Sequence, residues 1–387
     1  MSHVSEQMPA DNIVNTEGNK LFQWLRVLLL VYLLVVAVGM IGSGFKAATG
    51  EQAQELFAFA TNPFLGLIVG TVATALIQSS STVSSIIVGL VAGGLPVATA
   101  IPMVMGSNIG TSITNTLVSL GNIGDKSEFK RAFAAATIHD FFNLVNVVIF
   151  LPLEIIFHPL EKISYFLAQN LYGGSSLSLN NLNFVKTATQ PMVNLGKGIT
   201  HFFPSPFDGI ALIILGVAVI FFTIGFISKL LKILMVGRVK DILHTAIGRG
   251  PIAGIAAGTL MTILVQSSST TTSLMVPLAG SGVFYLEQIY PFTLGANIGT
   301  CITALLAATA VSGAEAIPAL EIALVHLLYN VFGVVIIYSI PFLCGVPLIC
   351  AKTLGAVASE KKYLAFVYII GVFFVIPGIC LGISVIF

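Results

Sequence analysis

The sequence predicts an all-α polytopic membrane protein built from two inverted-topology repeats, each with a re-entrant helical hairpin and a discontinuous transmembrane helix. Three observations predict it. Of 387 residues, 56% are hydrophobic and only 9% charged, against roughly 25% charged in soluble domains, and the mean hydropathy is +0.99. Apolar stretches long enough to cross a bilayer recur along the chain. A Gln-Ser-Ser-Ser tetrad occurs twice, at 78–81 and at 266–269, 188 residues apart and each time inside an apolar stretch. Four adjacent small polar residues are costly in hydrocarbon unless partnered. Two tetrads in matching surroundings therefore point to one paired polar site near the bilayer midplane, suited to a small hydrophilic solute.

The net charge of +1 gives no reason to expect nucleic acid or a polybasic membrane-surface module. The four cysteines, Cys301, Cys344, Cys350 and Cys380, lie in or beside apolar segments. None has zinc-site spacing with a histidine, so they read as reduced packing residues. No Asn-x-Ser/Thr sequon occurs and the longest loop lacks cysteine, which fits a multi-pass protein of a bacterial inner membrane.

Residues 1–20 read as a cytoplasmic tail and 21–50 as the first transmembrane helix, with Trp24 and Tyr32 near its start and Lys46 after its apolar core. The first repeat spans 51–155. Its segment 63–93 has two apolar arms around the tetrad, each of about 15 residues, reaching about 22 Å. That is short of a hydrocarbon layer of about 30 Å, so a hairpin with its tip at Gln78–Ser81 fits better than two full spans. The discontinuous helix 96–120 carries Pro96, Pro102 and the central run Gly106-Ser107-Asn108-Ile109-Gly110-Thr111. The helix 132–153 carries His139, Asp140, Asn143 and Asn146.

Residues 156–206 read as an extracytoplasmic loop with an amphipathic piece near 159–171. Residues 207–250 give a linking helix and a basic loop. There Lys229, Lys232, Arg238, Lys240 and Arg249 outnumber Asp241, which places the loop in the cytoplasm. The second repeat, 251–345, has a hairpin at 251–283, a discontinuous helix at 285–311 broken at Gly295–Thr300, and a helix at 320–343 with Glu321, His326, Tyr329 and Asn330. Residues 346–387 complete the chain as a C-terminal transmembrane helix.

The repeats match position by position. Gly70-Thr71 precede Gln78 as Gly258-Thr259 precede Gln266. Asn108-Ile109-Gly110-Thr111-x-Ile113-Thr114 recurs as Asn297-Ile298-Gly299-Thr300-x-Ile302-Thr303, and Pro102 as Pro291. His139 and Asn143 recur as His326 and Asn330, each pair four apart on one helix face. With the 229–250 loop inside, the first repeat begins outside and the second inside, so the two are inverted. Such transporters bind solute and coupling ions at the midplane, where discontinuous helices meet.

The candidate site is rich in hydroxyls, carboxamides and helix termini and nearly free of cations. Hydroxyls and helix N-termini favour an oxyanion, whereas lone pairs and free carbonyls favour Na⁺. Ions could then supply the positive charge that no Arg provides. The histidines read as packing or hydrogen-bonding groups, with proton relay the alternative. Asp140 and Glu321 read as intramembrane acids helped by helix dipoles.

The paired Gln-Ser-Ser-Ser tetrads, the Asn-Ile-Gly-Thr segments and the stretch from Arg131-Ala132-Phe133 to His139-Asp140-Phe141-Phe142-Asn143 resemble the type II sodium–phosphate cotransporters (solute carrier family 34-like), most closely a bacterial member. The resemblance covers roughly 60–350. It implies symport of inorganic phosphate with Na⁺ as coupling ion, no further cofactor and no enzymatic activity. It implies phosphate on Ser79, Ser80, Ser267 and Ser268. It implies sodium on Gln78, Thr111, Thr116, Asn122, Asp125, Asn143, Gln266, Ser269, Thr300 and Thr303. Ser81, Asn108, Asn297 and Asn330 complete the candidate set. The acid at Asp125 implies an additional sodium and electrogenic transport. Ala296 stands where the first repeat has Ser107, which puts one hydroxyl ligand in doubt. Expected partners are phosphate, Na⁺ and the lipid bilayer, with a homodimer left open and no nucleic acid. A symporter of another small oxyanion, or an anion channel, is the alternative. No Gly-x-Ser-x-Gly elbow supports an intramembrane hydrolase.

Overall fold

The computed structural model describes residues 10–49, 62–173, 183–246 and 249–386. Residues 1–9 of the tail, 50–61 at the head of the first repeat, 174–182 of the outer loop and 247–248 lie outside the described residues, as do the side chains of Lys232, Arg238, Lys240 and Asp241. Among the described residues every regular element is helical. In chain order the helices are α1 (Ala10–Thr49), α2 (Pro63–Ile77), α3 (Ser80–Gly93), α4 (Val97–Gly110), α5 (Ile113–Ser119), α6 (Lys126–Phe157), α7 (Pro159–Gly173), α8 (Asn183–Thr200) and α9 (Phe207–Ala246). They continue as α10 (Pro251–Val265), α11 (Ser268–Ser273), α12 (Met275–Gly280), α13 (Leu286–Ala308), α14 (Ala316–Ser339), α15 (Pro341–Glu360), α16 (Tyr363–Ile370) and α17 (Ile376–Ile386). Among the described residues seven helical segments are long and apolar enough to cross a membrane. Their outward faces carry large apolar side chains such as Leu28, Phe222, Phe342 and Val367, as a lipid-facing surface requires.

The hairpin regions are cut by the same device twice. Gln78 ends α2, and Gln266 ends α10, in the left-handed conformation (φ 56° and 53°), and each amide N–H returns to a threonine carbonyl 2.7 Å away, Thr74 or Thr262. Ser79 and Ser267 then sit extended as N-caps, each side chain accepting from the third amide of the next helix, Thr82 or Thr270. A polar tetrad thus stops one helix and starts another without leaving the turn unpartnered. Pro277, which cannot return an N–H to the Ser273 carbonyl, separates α11 from α12.

The arms of each hairpin pack on different neighbours. α2 lies parallel to α4 and α10 parallel to α13, at backbone contact. A methyl group on Gly70 would lie 2.0 Å from the Met103 carbonyl oxygen, and one on Gly106 would lie 1.9 Å from that of Leu67. The second repeat reproduces this, with Gly258 against the Phe292 carbonyl and Gly295 against that of Ile255, both at 1.9 Å. α3 is buried centrally, its Val83, Ile87 and Val91 joining Leu34 and Ile41 of α1 and Ile322 and Tyr329 of α14.

The matching helices α6 and α14 run antiparallel. Phe150 stacks edge-on against Tyr329, Asn146 abuts Gly333, and Ile138 and Phe142 share a cluster with Val334 and Ile337. α15 lies along α6, ending where Glu360 pairs with Lys126 at 2.6 Å. Residues 346–387, expected as one C-terminal helix, therefore contain most of α15 as well as α16 and α17.

One expectation needs correction. The first repeat's helix does break, between Gly110 and Ile113, but α13 runs unbroken through Gly295–Thr300. Side-chain hydroxyls explain the difference. Ser112, Thr116 and Ser119 each donate to a carbonyl three residues back, a competition that weakens a helix. Cys301, Leu305 and Ala308 occupy the equivalent positions in the second repeat and bring no such hydroxyl.

Candidate functional site

The two tetrads meet at one place, joined by residues of the opposite repeat. Thr303 Oγ1 on α13 donates to Gln266 Oε1 at 2.9 Å and lies 3.5 Å from Ser81 Oγ of the first tetrad. Thr272 Oγ1, on the helix that starts at the second tetrad, donates to Asn115 Oδ1 of α5 at 3.0 Å. Ser80, Ser81, Ser268 and Ser269 are all buried, while Ser79 and Ser267 are half-buried at the caps. Each cap serves only the third amide of its helix. The amides ahead of it, on Ser80 and Ser81 and on Ser268 and Ser269, have no intrahelical acceptor and carry the partial positive charge of a helix start.

A second polar layer lies beside the tetrads, and it too is exchanged between repeats. Asn108 Nδ2 donates to Asn330 Oδ1, and Asn297 Nδ2 to Asn143 Oδ1, both at 2.8 Å. His326 Nε2 contacts Asn108 Oδ1 at 3.2 Å, and His139 Nε2 contacts Asn297 Oδ1 at 2.5 Å. Asn143 Nδ2 further donates to the Asn108 carbonyl at 2.7 Å. Every member is buried. The asparagine of each Asn-Ile-Gly-Thr motif is thereby held by the His and Asn of the other repeat's long helix. Carboxamides suit this place because each has a donor and an acceptor side and can link neighbours in a chain.

Not all predicted residues converge. Thr111 and Thr300 each donate to the carbonyl four residues back, of Ser107 and Ala296, and are buried next to the asparagines. Thr116 is buried on α5, donating to the Ile113 carbonyl. Asn122 and Asp125 lie apart, at the far end of α5. Asn122 donates to Glu128 and abuts Gly280. Asp125 is exposed and caps α6, its Oδ1 accepting from the Ser127 and Glu128 amides and the Ser127 hydroxyl, each at 2.8 Å. Those bonds, that of the Glu128 amide foremost, with Arg131 nearby, hold its carboxyl below the usual carboxylate range.

A depressed carboxyl stabilises the fold fully above the unfolded pKa, about 3.9, and loses that effect as pH falls through the folded value. Asp125→Ala is accordingly expected to lower the melting temperature at pH 7. The gap to wild type should close as the pH drops below about 4, which thermal unfolding across a pH series checks.

The sequence reading left two participants out of the candidate site. Thr114 is found only by applying the repeat offset to Thr303. Asn115 has no such signal, because Ala304 matches it. Asp140, read in the sequence as an intramembrane acid, is buried, with Oδ2 accepting from Tyr368 of α16 at 2.8 Å. The ion pairs among the described residues, Lys46–Glu315, Lys126–Glu360, His158–Glu161 and Lys352–Glu287, do not involve a tetrad residue.

The departure at Ala296 has a structural trace. Thr74 Oγ1 donates to Ser107 Oγ at 3.0 Å. Thr262, the equivalent of Thr74, has a buried Oγ1 with no partner. Ala296→Ser is expected to supply that partner and to raise stability by about 1 kcal/mol, read as an increase in the melting temperature of the purified protein.

The model of the family described as Na+/Pi-cotransporter matches residues 33–168 and 219–349. The chain is 34% identical to sodium-dependent phosphate transport protein 2B of Homo sapiens and to that of Pongo abelii, each time across 93% of its length. It is 33% identical to sodium-dependent phosphate transport protein 2A of Rattus norvegicus across 95% of its length. The chain spans 65% of the length of the two primate proteins and 68% of the rat protein. No solved structure matches it.

Proposed function

Because the chain belongs to the Na+/Pi-cotransporter family, we propose that it is a Na⁺-coupled symporter that carries inorganic phosphate across the membrane by alternating access. The observation that carries this reading is the meeting of both serine tetrads at one place, bridged by Thr303, with no tetrad residue in an ion pair. Hydroxyls and helix-start amides can receive the phosphate oxygens. They do not neutralise a charged oxyanion removed from water, and burying unpaired charge is costly. Sodium ions on the neighbouring hydroxyl, carboxamide and carbonyl oxygens supply the missing charge. Solute and ion then bind only together, which is the thermodynamic basis of coupled transport.

Phosphate falls on Ser79, Ser80, Ser267 and Ser268. Sodium falls on the tetrad glutamines, Ser269, Thr111, Thr116, Asn143, Thr300 and Thr303, with Asn122 and Asp125 serving an outlying ion. The antiparallel run of α6 and α14 and the matched Gln-Ser turns support inverted repeats that exchange roles during the cycle. We place the protein in a bacterial inner membrane, on the absence of sequons and of loop cysteines. Electrogenic transport rests on the acid at Asp125. Asp125→Gly is expected to lower the current carried per phosphate, and an unchanged ratio would remove that residue from the charge balance.

Calorimetry tests the binding site directly. Phosphate is expected to give a saturable binding heat in NaCl and none in choline chloride, and Ser79→Ala with Ser267→Ala to weaken it at least tenfold. Equal binding in both salts would contradict the reading. Because hydroxyl donors read tetrahedral anions alike, another small oxyanion is the second reading, and stronger binding of sulfate than of phosphate would favour it.

A further inference from the structure

The two repeats are in different states. On the second, parallel packing of α10 on α13 places Gly254 against Pro291, Gly258 against Phe292 and Gly299 against Thr262. The next contact along that ladder is the hydrogen bond from Thr303 to Gln266. On the first, α2 and α4 climb the same ladder, with Gly66 against Pro102, Gly70 against Met103 and Gly110 against Thr71 and Thr74. Its next rung joins Gln78 to Thr114, the counterparts of Gln266 and Thr303.

That rung is not made. The helix breaks at Thr111 and Ser112, between the last glycine contact and Thr114. Thr114 Oγ1 is left buried without a hydrogen-bond partner. Gln78 is exposed, and its side chain makes no hydrogen bond among the described residues. Ala75 and Ile113, close in sequence to Gln78 and Thr114, belong to one buried cluster with Ile369 and Phe373, so the two helix ends pack on a common core.

We propose that Thr114 is a positioning residue of the transport cycle: its hydroxyl receives Gln78 when the break at Thr111–Ser112 closes, forming the counterpart of the Thr303–Gln266 bond. The inference rests on the alternating-access reading above and adds the moving part to it. The back-bonding hydroxyls of Ser112, Thr116 and Ser119 keep the break open in this state. Closing it gives the orphaned Thr114 hydroxyl a partner and draws a tetrad glutamine inward. In the second repeat that latch is already shut.

Cross-linking tests this without depending on which solute moves. Two variants of the full chain, Gln78→Cys with Thr114→Cys and Gln266→Cys with Thr303→Cys, are made with the four native cysteines replaced. They are reconstituted in liposomes and treated with a short bifunctional methanethiosulfonate, the linked peptide being read by mass spectrometry. Both pairs are expected to link, the 78–114 pair with a yield that changes at least threefold between sodium-free buffer and buffer with sodium and phosphate. Absence of the 78–114 link under every condition would overturn the inference, and so would a yield indifferent to ligands. In uptake assays Thr114→Ser should keep the wild-type turnover and Thr114→Val should lower it at least tenfold, with little change in the phosphate KM. Wild-type turnover in Thr114→Val would also overturn it. If the wild-type protein shows no sodium-driven uptake while the link still responds to ligands, the symport reading fails and the latch stands.

Discussion

Gly106→Ala and Gly295→Ala are each expected to abolish recovery of folded protein. A methyl group at either position would lie 1.9 Å from a backbone oxygen, of Leu67 or Ile255. No side-chain rotation relieves such a clash, so the paired helices must separate along their length. Overpacking a core by a methylene costs about 1–3 kcal/mol even where side chains can yield. Against two rigid backbones the cost belongs at or above the top of that range. Size-exclusion profiles of detergent-solubilised variants provide the check, with Gly345→Ala as control. That glycine has open space around it, and in a helix the change should be neutral or favourable by up to about 1 kcal/mol. A monodisperse Gly106→Ala protein of unchanged melting temperature would show that the helices are not in backbone contact.

Asn297→Leu is the second large effect. The side chain donates to Asn143 and contacts His139 Nε2, and all three residues are buried. Leucine is close in size but leaves Asn143 Oδ1 and His139 Nε2 without the Asn297 partner, at about 1–3 kcal/mol for each buried polar group. The bonds also fix α13 against α6, so loss of transport should exceed loss of fold. Uptake is expected to fall at least tenfold, with a lower melting temperature. Asn143→Leu should behave alike, and the double variant should cost less than the two single costs together, because each single change already breaks the same bond. Strict additivity would show that the pair is not coupled.

Much of the architecture was legible because a membrane chain is written mostly in apolar residues. Gln78–Ser81, Gln266–Ser269, Asn108, Asn297 and the His–Asn pairs stand out against that background, and their two similar offsets revealed the duplication. The pattern did not reveal who pairs with whom. The asparagine of one repeat bonds the histidine of the other, and Thr303 bridges both tetrads. The asparagine–histidine partners, and Thr303 with Ser81, are over 150 residues apart in sequence. Nor was the difference between the two breaks legible. Both motifs contain the same Asn-Ile-Gly-Thr, and the outcome turns on Ser112, Thr116 and Ser119 beyond it. The resemblance placed Asp125 among the site residues without showing its surroundings, and it lies at the exposed start of α6, where it also caps the helix.

The central claim is that phosphate binds among uncharged groups because sodium brings the charge. Uptake of labelled phosphate into proteoliposomes tests it most directly, with an inward sodium gradient in one arm and an equal potassium gradient in the other. The account predicts that phosphate accumulates above its external concentration only in the sodium arm, and that Ser79→Ala with Ser267→Ala abolishes the accumulation. Equal uptake in the two arms, or accumulation that survives removal of both hydroxyls, would contradict it.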